Sequence, residues 1–244
     1  AVAEVGSGAV INVEYLVDLN PDLIMTSASG YAEYDSHPQL LEAGLKVVIN
    51  SDYLEQDPLG RAEWGKFIAA FFEKEIEADR LFDDMVARYQ QAKKLTSNLS
   101  TRVTVFTNSA YEGTWYMPGG ESYIAILLAD AGADYLFKDI EGSGAQPLDF
   151  EVVLERAKDA DYWINVGALS ELSELTAMDA RYADFKAYQE GKVYTYSKRM
   201  NASGAVAYFE SGAAAPDIIL MDLIKVFYSD LLPEHEFFYY QALQ

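Results

Sequence analysis

Twice along this chain a carboxylate sits in the first turn of a short helix whose end runs through an aspartate into an apolar strand. Asn12-Val13-Glu14 leads through Asp22 into the strand of LNPDLIM, and Asp149-Phe150-Glu151 leads through Asp161 into the strand of ADYWINV. A strand that is apolar at consecutive positions must be covered on both faces, which is the pattern of a parallel sheet. The repetition therefore constrains the chain to two similar α/β lobes. A single glutamate at the matching helix start of each lobe is what a protein needs to grip a two-fold partner symmetrically.

Periodicity extends this map. Residues 12–19 read as a short helix, 23–28 as a strand, 36–43 as a helix closed by Gly44, and 46–50 as a second strand. A helix opening at Pro58 carries Trp64, Phe67, Ile68, Phe71 and Phe72 at helical spacing. The next run, 75–95, puts Phe82, Met85, Val86 and Tyr89 on one stripe. At about 1.5 Å per residue it spans about 30 Å, enough to cross between two lobes. After the polar cluster Ser97-Asn98-Leu99-Ser100 a strand follows from Arg102, then a helix through GGESYIAILLADAGA that ends at Gly132. Residues 148–158 are expected as a helix, 161–166 as a strand, 178–189 as a helix and 192–197 as a strand, with helices at 213–230 and 235–243 closing the chain. Such alternation argues for parallel sheets covered on both faces. The expected organisation is an amino-terminal α/β lobe over 1–74, a linking helix over 75–97 and a carboxyl-terminal α/β lobe over 98–244.

Charge and cysteine content narrow the function. Asp and Glu number 39 against 18 Lys and Arg, a net charge of −21, which opposes non-specific binding to nucleic acid and to anionic lipid. With no cysteine, disulfides, thiolate catalysis and zinc ribbons are excluded. No run approaches the roughly eighteen uncharged apolar residues of a membrane span. The chain opens AVAEVGSG, with neither methionine nor charged leader, and is read as a mature or truncated fragment.

NVEYLVDLNPDLIM, the long helix, MPGGESYIAILLADAGADYLF, PLDFEVVLERAKDADYWIN, GKVYTY and YFESGAAAPDIILMDLIKVFYSDLLPEHEFFYYQAL together resemble, in order and spacing, the periplasmic substrate-binding proteins of the iron-siderophore, haem and vitamin B12 class. The resemblance runs along nearly the whole chain. It implies two α/β lobes joined by one rigid helix, with ligand held in the cleft between them and delivered to an ABC permease dimer of the inner membrane. It implies no enzymatic activity and no resident cofactor, the ligand being a ferric siderophore, haem or cobalamin. One glutamate per lobe docks on permease arginines in that family, and Glu14 and Glu151 match those positions. The resemblance also implies a periplasmic protein or a lipoprotein anchored on the outer side of the inner membrane, with any lipid on an amino terminus absent here. The family's first strand and helix precede the segment that matches Asn12 onward, so the amino-terminal lobe is expected to be truncated. Without the resemblance and the matched placement, Glu14 and Glu151 read rather as helix-start carboxylates favoured by the helix dipole.

Candidate ligand contacts follow strand ends, where α/β sheets bind ligands. SAYEGTWYMPGG reads as a glycine-rich loop offering Tyr111, Trp115 and Tyr116; the loop after the first strand offers Tyr31 and Tyr34, and Tyr53 follows the next strand. Aromatic faces there can stack on a porphyrin, a corrin or a catecholate, or pack as a satellite cluster under a long loop. Arg61, at a helix start, and Arg199, in YSKRMNASG, are candidates to recognise anionic chelates, or are ordinary solvated charges. Glu210 in YFESG stands open between a helix-start acid and a cleft residue.

Catalytic patterns are missing. The two histidines, His37 and His235, have neither metal-ligand nor triad spacing, and no nucleophile elbow, P-loop or dinucleotide fingerprint occurs. The alternative reading is an α/β enzyme acting on a nucleotide or sugar phosphate through Gly119-Gly120 at a helix start.

Overall fold

A computed structural model of the chain describes residues 3–7, 10–31 and 33–244. The contacts divide the chain into two compact units, residues 1–54 and 55–244. The first unit is thus shorter than the expected 1–74 lobe, and the long helix lies within the second.

The first unit contains the antiparallel pair β1 (Gly6–Ser7) and β2 (Val10–Ile11), then α1 (Val13–Leu19), β3 (Ile24–Thr26), α2 (His37–Glu42) and β4 (Val47–Ile49). Asn12 starts α1, its side chain accepting from the backbone N–H of Tyr15 at 3.0 Å. Strands β3 and β4 are parallel, with Met25 opposite Val48, as the apolar runs predicted.

The second unit begins with α3 (Pro58–Ala70) and α4 (Glu75–Thr96). The Asp57 carboxylate accepts from the N–H groups of Leu59 and Gly60, both at 2.9 Å, and Pro58 supplies the preset first-turn backbone. Helix α4 buries Met85, Tyr89, Ala92 and Thr96 along one stripe and packs on α3 and on α10 (Pro216–Phe227). Between them in sequence lie β5 (Thr104–Thr107), β6 (Ala110–Tyr111), β7 (Thr114–Pro118), α5 (Tyr123–Asp130), β8 (Asp134–Tyr135), β9 (Ala145–Asp149), α6 (Phe150–Ala157), β10 (Tyr162–Ile164), α7 (Leu172–Met178), α8 (Lys186–Gln189), β11 (Val193–Thr195) and α9 (Ala207–Glu210), with β12 (Gln241–Ala242) ending the chain. Among the described residues the main sheet has the order β12-β11-β10-β5-β8, parallel except for the edge strand β12. Val105, Phe106, Trp163, Ile164 and Val193 on its strands are buried, each worth roughly 1.5–3 kcal/mol for a side chain of this size.

Three expectations are corrected. SAYEGTWYMPGG is not a loop: β6 and β7 form a hairpin through Glu112-Gly113, both at positive φ, and β7 pairs on its other side with β9. Strand alternation explains it, since Trp115 and Met117 point inward while Tyr116 is exposed. Residues 178–189 are not one helix; α7 ends at Met178, a 3-10 turn covers Ala180–Asp184, and α8 follows. Asp179 and Phe185, both extended, interrupt it, and Asp179 accepts from the N–H of Arg181. Residues 235–243 are irregular and end in β12, because their backbone groups are satisfied by a buried carboxylate and by β11 and not by one another.

Asp161, one of the two aspartates of the repeat, fastens the sheet. Its carboxylate accepts from the N–H and hydroxyl of Thr104, both at 2.9 Å, and from the Lys186 ammonium at 2.8 Å. Burial works to raise its pKa, but the Lys186 and Thr104 hydrogen bonds win and hold it below the usual carboxylate value. A depressed folded pKa stabilises the fold above the unfolded value of about 3.9, a contribution lost as pH falls through the folded pKa. Asp161→Asn is expected to lower Tm at pH 7 by about 2–4 °C, with the difference from the wild type vanishing at low pH. A difference that persists at the lowest pH would assign the loss to packing instead.

Candidate functional site

Each unit presents loops at the carboxyl edge of parallel strands. In the first, Tyr31 and Tyr34 follow β3 and Tyr53 follows β4. Asp35 shapes the first loop: its carboxylate accepts from the N–H and hydroxyl of Ser29 and from the N–H of Gly30, at 2.6, 2.8 and 3.0 Å. The Ser29 hydrogen bonds hold Asp35 below the usual carboxylate range. The Tyr53 hydroxyl donates to the carbonyl of Ala28 at 2.6 Å, tying the two loops together. Tyr31 and Tyr34 meet edge to face at 6.4 Å and are both exposed. The three tyrosines picked from sequence therefore share one edge.

In the second unit β5 and β10 both end on an asparagine in the left-handed region, Asn108 at φ +67° and Asn165 at φ +59°. Such backbone is tolerated best by Asn after Gly, and here it turns two adjacent strands outward at the same edge. Asn108 Nδ2 donates to the Tyr116 carbonyl at 2.8 Å, and Asn165 Oδ1 accepts from the Tyr240 hydroxyl at 2.8 Å. Strand β11 runs on to Tyr196, Lys198 and Arg199. The guanidinium of Arg199 lies 3.6 Å from the centroid of the Phe238 ring, while Lys198 donates to the Phe237 carbonyl. Lys198, Arg199, Met200, Asn201 and Glu210 line an open depression of about 780 Å³. Its loop is folded by Asn201, whose side-chain oxygen accepts from Ser203 N, Ser203 Oγ and Ala205 N at 3.0, 2.8 and 2.9 Å. Beside it Tyr196 stacks on Tyr208 at 5.2 Å and meets the exposed Phe209 at 4.9 Å. Burial pushes the Tyr208 hydroxyl up to about 12. Glu210 thus lines the depression at the end of α9.

The other sequence candidates separate. Tyr111 and Tyr116 are exposed on the β6–β7 ribbon. Trp115 is not available to a ligand: it is 0% exposed, its ring is 5.8 Å from that of Trp163, and its Nε1 donates to the Thr107 carbonyl at 2.9 Å. Arg61, in the first turn of α3, lies 5.2 Å from the centroid of the Tyr123 ring. Phe238, Asn108 and Asn165 escaped the sequence reading. The aromatic run EFFYY and the asparagines at strand ends were the available signals.

Glu14 and Glu151 occupy the same station, the second residue of α1 and of α6, after Asn12 and Asp149 respectively, and both are exposed. Their surroundings differ. Arg181 donates to Glu151 at 2.6 Å, grips Asp179 through Nε and Nη2, and stacks 4.0 Å from the Phe150 centroid. Among the described residues Glu14 has no ion pair.

Gly119-Gly120 does not form a phosphate cradle. The N–H groups of Gly119, Gly120 and Glu121 already donate to the carbonyls of Gly144, Ile140 and Gly142 at 3.1, 2.7 and 3.1 Å. The glycines are there for close approach: a Cβ on Gly120 would stand 1.9 Å from the Lys138 carbonyl oxygen, and one on Gly119 2.1 Å from that of Gly142.

The two-unit α/β architecture, with candidate contacts at the carboxyl edges of parallel strands, is that of a binding protein. The chain matches the family described as periplasmic binding protein over residues 1–200, and it belongs to that family. It is 32% identical over 235 residues to an uncharacterized lipoprotein of Methanocaldococcus jannaschii, covering 94% of this chain and 53% of the relative. A second uncharacterized lipoprotein of that organism is 28% identical, with 94% and 58% covered. The chain thus spans little more than half the length of these relatives. Among solved structures, a periplasmic heme-binding protein of Roseiflexus sp. RS-1 has a TM-score of 0.68 at 18% identity, covering 93% of this chain and 83% of that one. A periplasmic vitamin B12-binding protein of Vibrio cholerae has a TM-score of 0.61 at 16% identity, with 91% and 80% covered. These likenesses give the fold expected from the sequence. Among the described residues no helix is long and apolar enough to cross a membrane.

The glycine geometry predicts that inorganic phosphate at millimolar concentration leaves the amide resonances of Gly119, Gly120 and Glu121 unmoved. Gly120→Ala is expected to unfold the protein or lower its Tm by more than about 10 °C, as backbone must move. Saturable phosphate shifts at these amides would restore the cradle.

Proposed function

We propose that this protein is the substrate-binding component of an ABC importer and captures a metal chelate that carries both anionic and aromatic groups: a ferric siderophore, haem or a corrinoid. The observation that carries the reading is Arg199, exposed yet seated over the Phe238 ring and next to Lys198 in a chain of net charge −21. An acidic protein repels anions in general, so a preorganised cation pair is a local exception that favours an anionic ligand. Tyr196, Phe209 and Met200 around it favour a ligand with apolar surface as well. Taken unit by unit, the proposed ligand contacts are Tyr31, Tyr34 and Tyr53 on the first, and Tyr111, Tyr116 and Arg61 besides Arg199 on the second. A heme-binding and a vitamin B12-binding neighbour of the same fold support this choice of class.

Delivery to a permease dimer rests on Glu14 and Glu151. Two exposed carboxylates at the same helix station of two units suit paired arginines on a two-fold partner, each in a charge-assisted, bidentate contact. A place outside the inner membrane, as a periplasmic protein or lipoprotein, follows from the same reading and from the lipoprotein naming of both relatives.

Titration with haemin, cyanocobalamin and ferric catecholate or hydroxamate chelates is expected to give a saturable change in the absorption spectrum of one of them, without turnover. Arg199→Ala should weaken that binding about tenfold, the loss of one charge-assisted contact. Release of a chemically altered product would overturn the receptor reading. Glu14→Ala and Glu151→Ala should bind the chelate normally and fail in transport by reconstituted vesicles; normal transport would remove both residues from docking.

A further inference from the structure

The cations of the proposed ligand site are seated on a stretch of chain with no secondary structure of its own. Residues 232–240 follow α10 as irregular backbone, yet they carry Phe238 under Arg199, Phe237 beside Lys198, and Tyr240 onto Asn165. The Tyr239 carbonyl also accepts from the N–H of Lys198 at 3.1 Å. An irregular segment holds one conformation only if its backbone donors are satisfied.

Here one side chain satisfies them. Asp222, in the middle of α10 and 0% exposed, accepts from the N–H of Phe238 at 3.0 and 3.1 Å, of Tyr239 at 2.6 Å and of Tyr240 at 3.0 Å. His235 Nε2 completes the set at 2.6 Å. A fully buried carboxylate is costly unless paired, and four groups from one short segment converge on this one. Lys225, three residues further along α10, holds the start of the same segment through the Leu232 and Pro233 carbonyls at 3.0 and 2.9 Å. The carboxylate fixes the path of residues 235–240, and through Phe237 and Phe238 the place of the two cations.

We propose that Asp222, clamped by His235, is the positioning residue of the ligand site: it presets Arg199 and Lys198 for an anion by coiling the segment that seats them. This rests on the reading of Arg199 as a ligand contact. Stacking on Phe238 places the Arg199 side chain in the shielding region of an aromatic ring, so its Nε–H resonance reports the seat directly, whether or not any ligand binds.

The test compares Asp222→Asn and His235→Gln with the wild type, all kept well below their unfolding temperatures. The Arg199 Nε–H is assigned through Arg199→Lys, and affinity is read by titration with haemin and with a ferric catecholate chelate. In folded Asp222→Asn the Arg199 resonance is expected to move downfield towards its unstacked position and the affinity to fall about tenfold; His235→Gln is expected to do both to a smaller degree. An unmoved Arg199 resonance in a folded variant overturns the proposal. Should Asp222→Asn not fold, His235→Gln decides alone, since its more exposed side chain leaves the core intact. If the resonance moves but affinity does not, Asp222 positions Arg199 and Arg199 is no ligand contact, which sinks the ligand reading and with it this role. If Arg199→Ala binds normally, the ligand reading has failed and with it the role of Asp222 at a ligand site, while the resonance separately decides whether Asp222 sets the Arg199 seat.

Discussion

Two indole N–H groups end strand β5. Trp115 donates to the carbonyl of Thr107 at 2.9 Å and Trp163 to that of Asn108 at 2.6 Å, and both rings pack on Phe106, at 6.0 and 5.1 Å. Phe185 closes the same layer at 4.9 Å from Phe106. A buried indole needs an acceptor, and a strand end needs donors for its last carbonyls. Meeting both needs with the same bonds pins the left-handed turn at Asn108 and with it the ribbon of β6 and β7. The site loops of the second unit inherit their position from that layer, because a close-packed aromatic core does not deform by small amounts.

The same economy recurs wherever the chain leaves regular structure. Asp35 satisfies the turn after β3, Asn201 the loop after β11, and Asp222 the segment before β12. In each case one side chain accepts two or three backbone N–H groups and so satisfies donors that no helix or ladder takes up. The loops at the carboxyl edges are therefore set before any ligand arrives, and side chains such as Arg199 can be held in place while still exposed.

The paired glutamates are alike in sequence but differ in setting. Glu14 is open, whereas Glu151 has one oxygen engaged by an arginine that is itself gripped by Asp179 and stacked on Phe150. An exposed pair of this kind is worth about 0–1 kcal/mol, so it orients Glu151 more than it withholds it. Their common station at the second residue puts each carboxylate at the positive end of its helix dipole, with Asn12 capping α1 through its side chain and Asp149 preceding α6 without such a bond.

Sequence alone determined the α/β class, the parallel strands, the stripe on the long helix, and the stations of Glu14 and Glu151. These follow from periodicity and capping, which act over a few residues. It also put Tyr31, Tyr34 and Tyr53 at strand ends, where they share an edge. Tertiary structure decided the rest. Whether an aromatic residue after a strand is core or surface depends on strand alternation that only the pairing of β7 with β9 establishes, so Trp115 went inward and Tyr116 outward. Whether Gly119-Gly120 offers free N–H groups depends on a chain segment twenty residues away that consumes them. Arg199 and Phe238 stand far apart in the chain and meet because the segment between α10 and β12, its N–H groups held by Asp222, returns beside the end of β11. No local pattern carries that information, since the energy that sets each of these positions is a contact between residues distant in sequence.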